Sequence, residues 1–140
     1  MKIRNKVLSL VLVTVLLLAL ALPAFAMGNS ITPYYNNTAT AEMTFVIDIN
    51  GLATVDYTCR GYRGITTKIV VDTKIERQNG SSWAEVENAS WTDQSTLYFC
   101  TNEHEIQLTQ RGTYKATVTY TVSGSGGATD VITKEYQCTY

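Results

Sequence analysis

Histidine is almost missing from this 140-residue chain: there is one, His104. A hydrolase needs a nucleophile, a base and an orienting group, and here a single imidazole is on offer, with no serine in a Gly-x-Ser-x-Gly context. Glu103 and Glu105 flank His104, but neighbours on a strand point to opposite faces, so the residue reads as a surface histidine. Proline is scarce too. Both prolines precede Tyr34, which leaves everything beyond free to form central strands. Cysteine is limited to Cys59, Cys100 and Cys138. Their spacing of about forty residues lacks the short paired intervals of a structural zinc site, and an odd number permits at most one intramolecular pair. Beyond residue 26 no Lys/Arg cluster is present, and without a positive footprint neither nucleic acid nor anionic lipid is an expected partner.

What is present begins with an export signal. Lys2, Arg4 and Lys6 precede an apolar run from Val7 to Leu22, interrupted by Ser9 and Thr14, and Pro23-Ala24-Phe25-Ala26 follows. Charged region, apolar core and small-x-small site in that order predict a signal peptide over 1–26, cleaved after Ala26. The run falls short of the roughly 20 residues of a spanning helix. Cleavage would leave 114 residues with eight basic and twelve acidic side chains, a net charge of about −4. No cysteine follows the site to accept a lipid, so the expectation is a secreted, extracellular protein with no membrane contact after cleavage. A length of 114 suits one core.

Residues 27–39 are rich in Asn, Thr, Gly and Tyr without a sustained period and read as a flexible lead, with the folded domain over 40–140. From there the pattern is strand. Residues 42–49 alternate loosely, and Asn50-Gly51 predicts a two-residue type I′ hairpin. Residues 52–62 place Ala53, Val55, Tyr57 and Cys59 on one face. Residues 66–77 turn Ile69, Val71, Thr73 and Ile75 inward, and 113–122 turn Tyr114, Ala116, Val118, Tyr120 and Val122 inward. Trp83 to Val86 reads as a short strand with its indole on the core, and 88–95 as a polar connection containing Trp91. Residues 96–100 and 104–108 read as strands separated by Thr101-Asn102-Glu103, and 129–138 as the last strand. About seven to eight short strands with turns every 8–12 residues indicate an all-β antiparallel sandwich or barrel.

One local feature favours the immunoglobulin-like sandwich. Tyr114 follows Gly112 at the start of the most regular strand, the place of the tyrosine corner. Two residues on, where antibody domains carry their second disulfide cysteine, stands Ala116, so that bridge is excluded. Three pairings remain open. Cys100 with Cys138 is favoured, because Cys59 sits on an inward face. The chain resembles a group of small exported immunoglobulin-like proteins of uncharacterised function from Gram-positive bacteria. The likeness rests on Gly-Leu-Ala-Thr-Val from Gly51, Thr-Lys-Ile-Val-Val from Thr67, Asn-Gly-Ser-Ser-Trp from Asn79 and Gly-Thr-Tyr-Lys from Gly112. It implies a scaffold and contributes no catalytic residue.

No catalytic, cofactor or metal site is expected. Asp48-Ile49-Asn50-Gly51 with Asp56 has a trace of calcium-loop spacing, but a hairpin accounts for it. Asn36-Asn37-Thr38 and Asn88-Ala89-Ser90 match the glycosylation acceptor pattern, which is short and common. The acidic residues fall on outward positions and in turns, where solvation explains them better than a glycosidase pair. Aromatic residues near turns are the candidate ligand contacts: Trp91, Tyr62 and Tyr98. The expected function is therefore a non-catalytic interaction or structural module meeting a protein or a cell-surface glycan. The alternatives are a carbohydrate-binding module that stacks sugars on exposed rings, and a small hydrolase built around His104.

Overall fold

The computed structural model describes residues 34–140; the expected signal peptide, its cleavage after Ala26 and the first part of the lead lie outside them. Seven strands follow in order: β1 Thr38–Ile47, β2 Leu52–Gly61, β3 Thr66–Asn79, β4 Ser82–Ser95, β5 Phe99–Gln107, β6 Thr113–Gly124 and β7 Asp130–Thr139. They form two antiparallel sheets, β1-β2-β5 and β4-β3-β6-β7. The all-β sandwich expected from the alternation is the one observed.

The inward sets on β2, β3 and β6 are as the sequence places them. Ala53, Val55, Tyr57, Cys59, Ile69, Val71, Ile75, Ala116, Val118, Tyr120 and Val122 are buried at 0–1% exposure. Each fully buried Val or Ile contributes about 1.5–3 kcal/mol, which is why period-2 alternation fixes these strands. Tyr120 packs edge-on against Tyr57, centroids 6.1 Å apart, and its hydroxyl donates to the Glu42 carbonyl at 2.6 Å. A ring buried with its polar tip satisfied ties one sheet to the other. Tyr114 makes the corner bond, its hydroxyl donating to the Gln110 carbonyl four residues back at 2.5 Å. Tyr114→Phe is expected to cost about 1 kcal/mol, read as a lower urea midpoint with an unchanged m-value.

The edge strands differ from the sequence reading. The span 88–95 is not a connection but the second half of β4, paired with Ile69–Lys74. Its inward positions are Ala89, Trp91, Asp93 and Ser95, so no apolar period betrays it. Thr101-Asn102-Glu103 likewise runs through the middle of β5, because Asn102 and His104 hold inward positions. The Trp83 indole is not on the core. Trp83 lies on the outer face under the Lys115 ammonium, 4.9 Å from the ring, while Trp91 packs against the core. Between them β4 bulges: Glu85 pairs with Glu76 and Ser90 with Lys74, so Val86–Ala89 stand opposite Ile75 alone, and Asn88 takes φ +60°.

The β1–β2 hairpin is not the two-residue type. Asp48 N–H bonds the Leu52 carbonyl at 3.0 Å, and in this loop Gly51 alone has positive φ, +85°. A three-residue loop with glycine in the left-handed position results. It is selected by the Asp48 carboxylate, which accepts Asn50 N–H and Leu52 N–H at 2.8 Å each. The trace of a calcium loop is thus a self-contained turn.

The lead is anchored from Asn36 onward. Asp130 accepts Asn36 N–H at 3.0 Å, Asn37 N–H at 2.7 Å and the Thr38 hydroxyl at 2.8 Å. Asn37, at 0% exposure, receives Gly126 N–H on its side-chain oxygen and donates its amide to the Ala128 carbonyl. Its own carbonyl accepts Tyr62 N–H and the Thr66 hydroxyl. One buried asparagine therefore joins the start of β1, the β2–β3 loop and the β6–β7 loop, a role that composition could not show.

Candidate functional site

The sandwich brings chemistry together at the seam where β4 and β5, edge strands of opposite sheets, run side by side. Alternate residues on a strand share a face, so Trp91 and Asp93 on β4, and Cys100, Asn102 and His104 on β5, all turn into this seam. Asp93 is the hub. Its carboxylate accepts the Tyr57 hydroxyl at 2.7 Å, the Asn102 amide at 2.9 Å and His104 Nε2–H at 2.5 Å. The imidazole lies flat on the Trp91 indole, centroids 4.8 Å apart and planes 4° from parallel.

His104 is therefore not the surface residue that its acidic neighbours suggested: its side chain is 13% exposed. Glu103 and Glu105 do point the other way, into solvent. Burial works to raise the Asp93 pKa, but the bonds from Tyr57, His104 and Asn102 outweigh it and hold the carboxyl below its ordinary value. The Tyr57 hydroxyl is driven upward, by burial first and by the adjacent Asp93 second. A carboxylate orienting an imidazole is half of an acid–base device. The other half, a hydroxyl or thiol hydrogen-bonded to the ring, is not found among the described residues, and His104 lines neither of two cavities on the sandwich. One cavity of about 320 Å³ lies between β1 and β7 beside Met43, Lys134 and Tyr136. The other, about 460 Å³, lies between β4 and β5 beside Arg77, Glu85, Val86, Ile106 and Leu108.

The three aromatic candidates separate. Trp91 is half-buried with one face covered by His104. Tyr62 and Tyr98 lie at the same end of the sandwich, where Gly61 N–H donates to the Tyr98 carbonyl at 2.7 Å. His104 pairs with Val55, six residues down β2 from Gly61, so this end lies roughly 20 Å from the seam cluster. Here Tyr62, Leu97 and Phe99 are 38%, 55% and 44% exposed. Tyr98 packs edge-on against Phe99 at 5.5 Å, and the Arg63 guanidinium sits 5.8 Å over the Tyr98 ring. Leu97, Phe99 and Arg63 escaped the sequence reading. Crowding of aromatic residues around two turns was the available signal, and it could not say which rings emerge together.

The expected Cys100–Cys138 pair is not formed. All three cysteines are thiols, and Cys138, on β7, donates its thiol to the Phe45 carbonyl at 3.1 Å. Cys100 instead faces Cys59 directly across β2–β5. The inward face that argued against Cys59 is shared by Cys100, which only the register reveals.

No protein-family model matches the chain, and no curated protein does. Solved structures show likeness of architecture. A CARDB domain from Pyrococcus furiosus, solved in complex with di-metal ions, is 20% identical with a TM-score of 0.44, over 74% of this chain and 94% of that one. A β-glucosidase from Listeria innocua, solved with gluconolactone, is 12% identical with a TM-score of 0.39, over 69% of this chain and 16% of the enzyme. A protein from Archaeoglobus fulgidus is 11% identical with a TM-score of 0.34, over 74% and 97%. These likenesses extend to the sandwich and carry nothing about ligand or reaction.

Proposed function

We propose that this chain is an exported, immunoglobulin-like sandwich acting outside the cell as a non-catalytic module that binds a protein partner. The aromatic end carries the reading: Tyr62, Leu97 and Phe99 are exposed together, beside Arg63 stacked on Tyr98. Tyrosine and arginine are enriched among residues that dominate binding energy, and an exposed apolar group rimmed by polar residues marks interaction sites. The tyrosine corner at Tyr114 and the β1-β2-β5 and β4-β3-β6-β7 order support the immunoglobulin-like assignment. The charged n-region and small-x-small site at Ala26 support export. Sugar stacking on Trp91 is disfavoured, since His104 covers one face of the indole.

The test is retention of the purified protein on the surface fraction of the producing cells, in parallel with a glycan array. Retention on the surface fraction is expected, abolished by protease treatment of that fraction and weakened about tenfold or more by Leu97→Ser or Phe99→Ser, the size of a lost hot spot. Retention on glycans that survives both substitutions would sink the proposal.

A further inference from the structure

We infer that Cys59 and Cys100 close a disulfide across β2 and β5, one that opens and closes with the redox state of the surroundings. The two residues are directly opposed in the register, share the inward face, and are 0% and 8% exposed. Their pair type follows from the ends of the ladder. Gly61 N–H donates to the Tyr98 carbonyl at 2.7 Å and Leu108 N–H to the Gly51 carbonyl at 2.8 Å, each within a directly opposed pair. Hydrogen-bonded pairs alternate with non-bonded ones, so stepping by two from either end makes Cys59 and Cys100 a hydrogen-bonded pair. Such pairs hold their Cα atoms about 5.5 Å apart, within the about 4.4–6.8 Å that a disulfide spans. Their Cβ atoms stand near the wide end of about 4.5–5.5 Å, beyond the about 3.5–4.5 Å of a relaxed bond. Closure must draw the strands together locally, and the resulting strain makes the bond easier to reduce. Because β5 is a sheet edge, it is free to make that shift.

The oxidant is a low-molecular-weight disulfide. Cys100 reacts first, being the more exposed; burial pushes the Cys59 thiol up to about 12, and at Cys100 the neighbouring Tyr57 works against the rise that burial causes. Cys100 loses its proton and attacks one sulfur of the oxidant, whose S–S bond breaks, and the departing thiolate takes the proton. Cys59 then attacks the Cys100 sulfur of the mixed disulfide and releases the second small thiol in the same way. Two protein thiols are oxidised and one disulfide is reduced to two thiols. Transient opening of the β5 edge admits the reagent. Persistence of the bond in the producing organism rests on the export proposed above, because cytosolic reductants keep thiols reduced; its formation in a defined redox buffer does not.

The experiment takes protein from the medium of cells expressing the full chain, alkylates it without reduction and maps its proteolytic peptides by mass spectrometry. The expected result is a peptide linking Cys59 to Cys100, with Cys138 alkylated. A link that includes Cys138 overturns the inference, as does finding all three cysteines alkylated even after the folded protein has been incubated with oxidised glutathione. If the chain stays in the cells, the export reading fails, and the glutathione arm on protein purified from those cells still decides the pair. Cys138→Ser is expected to leave the link intact and Cys59→Ser to abolish it. Dithiothreitol should open the link in the folded protein; a link that opens only in denaturant overturns its reversibility.

Discussion

Asp130→Ala is expected to lower unfolding stability by about 3–5 kcal/mol. Asp130 is 7% exposed, and its carboxylate accepts from Asn36 N–H, Asn37 N–H and the Thr38 hydroxyl. Hydrogen bonds to a charged acceptor contribute about 1.5–3 kcal/mol each, and a buried donor left unpaired costs about 1–3 kcal/mol. Asn37 N–H and the Thr38 hydroxyl are both in buried residues, so water cannot replace the lost acceptor. The damage spreads, because Asn37 also holds the β2–β3 and β6–β7 loops through Tyr62, Thr66, Gly126 and Ala128. Urea unfolding at neutral pH measures the loss. Hydrogen exchange at Asn37, Tyr62 and Gly126 should rise first, and a variant that unfolds with the native midpoint would refute the hub.

Asp93→Ala is expected to cost about 2–3 kcal/mol through a different mechanism. It frees three donors at once, of which the Tyr57 hydroxyl sits deepest, on a ring that is 1% exposed. Asn102 can turn to water; the Tyr57 hydroxyl cannot without moving its ring off Tyr120. Asp93→Asn keeps an acceptor for Tyr57 and should lose less than half as much. Both carboxylates also set the acid behaviour. Their folded pKa values lie below the ordinary 3.8: burial opposes the shift in each, and the donated bonds override it. A carboxylate depressed in the folded state contributes stability that is complete above its unfolded pKa and lost as pH falls through the folded value. Stability should therefore decline from about pH 5 downward, and each alanine variant should show a shallower decline than the wild type, read from urea midpoints across that range.

How much of this was legible depends on the strand. In the central stretches of β2, β3 and β6 the inward positions other than Thr73 are apolar, aromatic or cysteine, with Arg77 following only at the end of β3, so alternation alone places Val55, Ile69 and Val118 correctly. β4 and β5 are edge strands whose inward positions include Asp93, Ser95, Asn102 and His104. Polar residues in both phases leave no period to read, and β4 accordingly passed for a short strand and a loop. The Asp93–His104 pair vanished with them, since neither residue's face was known. For the same reason Trp83 reads as a core residue and Trp91 as part of a connection, whereas Trp83 lies outward and Trp91 lies on β4 against the core.

The sequence by itself determined the all-β class, the central strands, their buried faces and the glycine-led corner at Tyr114, because these follow from spacing within a few residues. Tertiary structure alone decided which residues meet across the chain: Asn37 with Asp130, Asp93 with His104, Cys59 with Cys100. Those partners lie between 11 and 93 positions apart, and their meeting depends on strand order and register. One residue of slip would turn every such side chain to the other face, and only packing of the whole sandwich selects the register that brings them together.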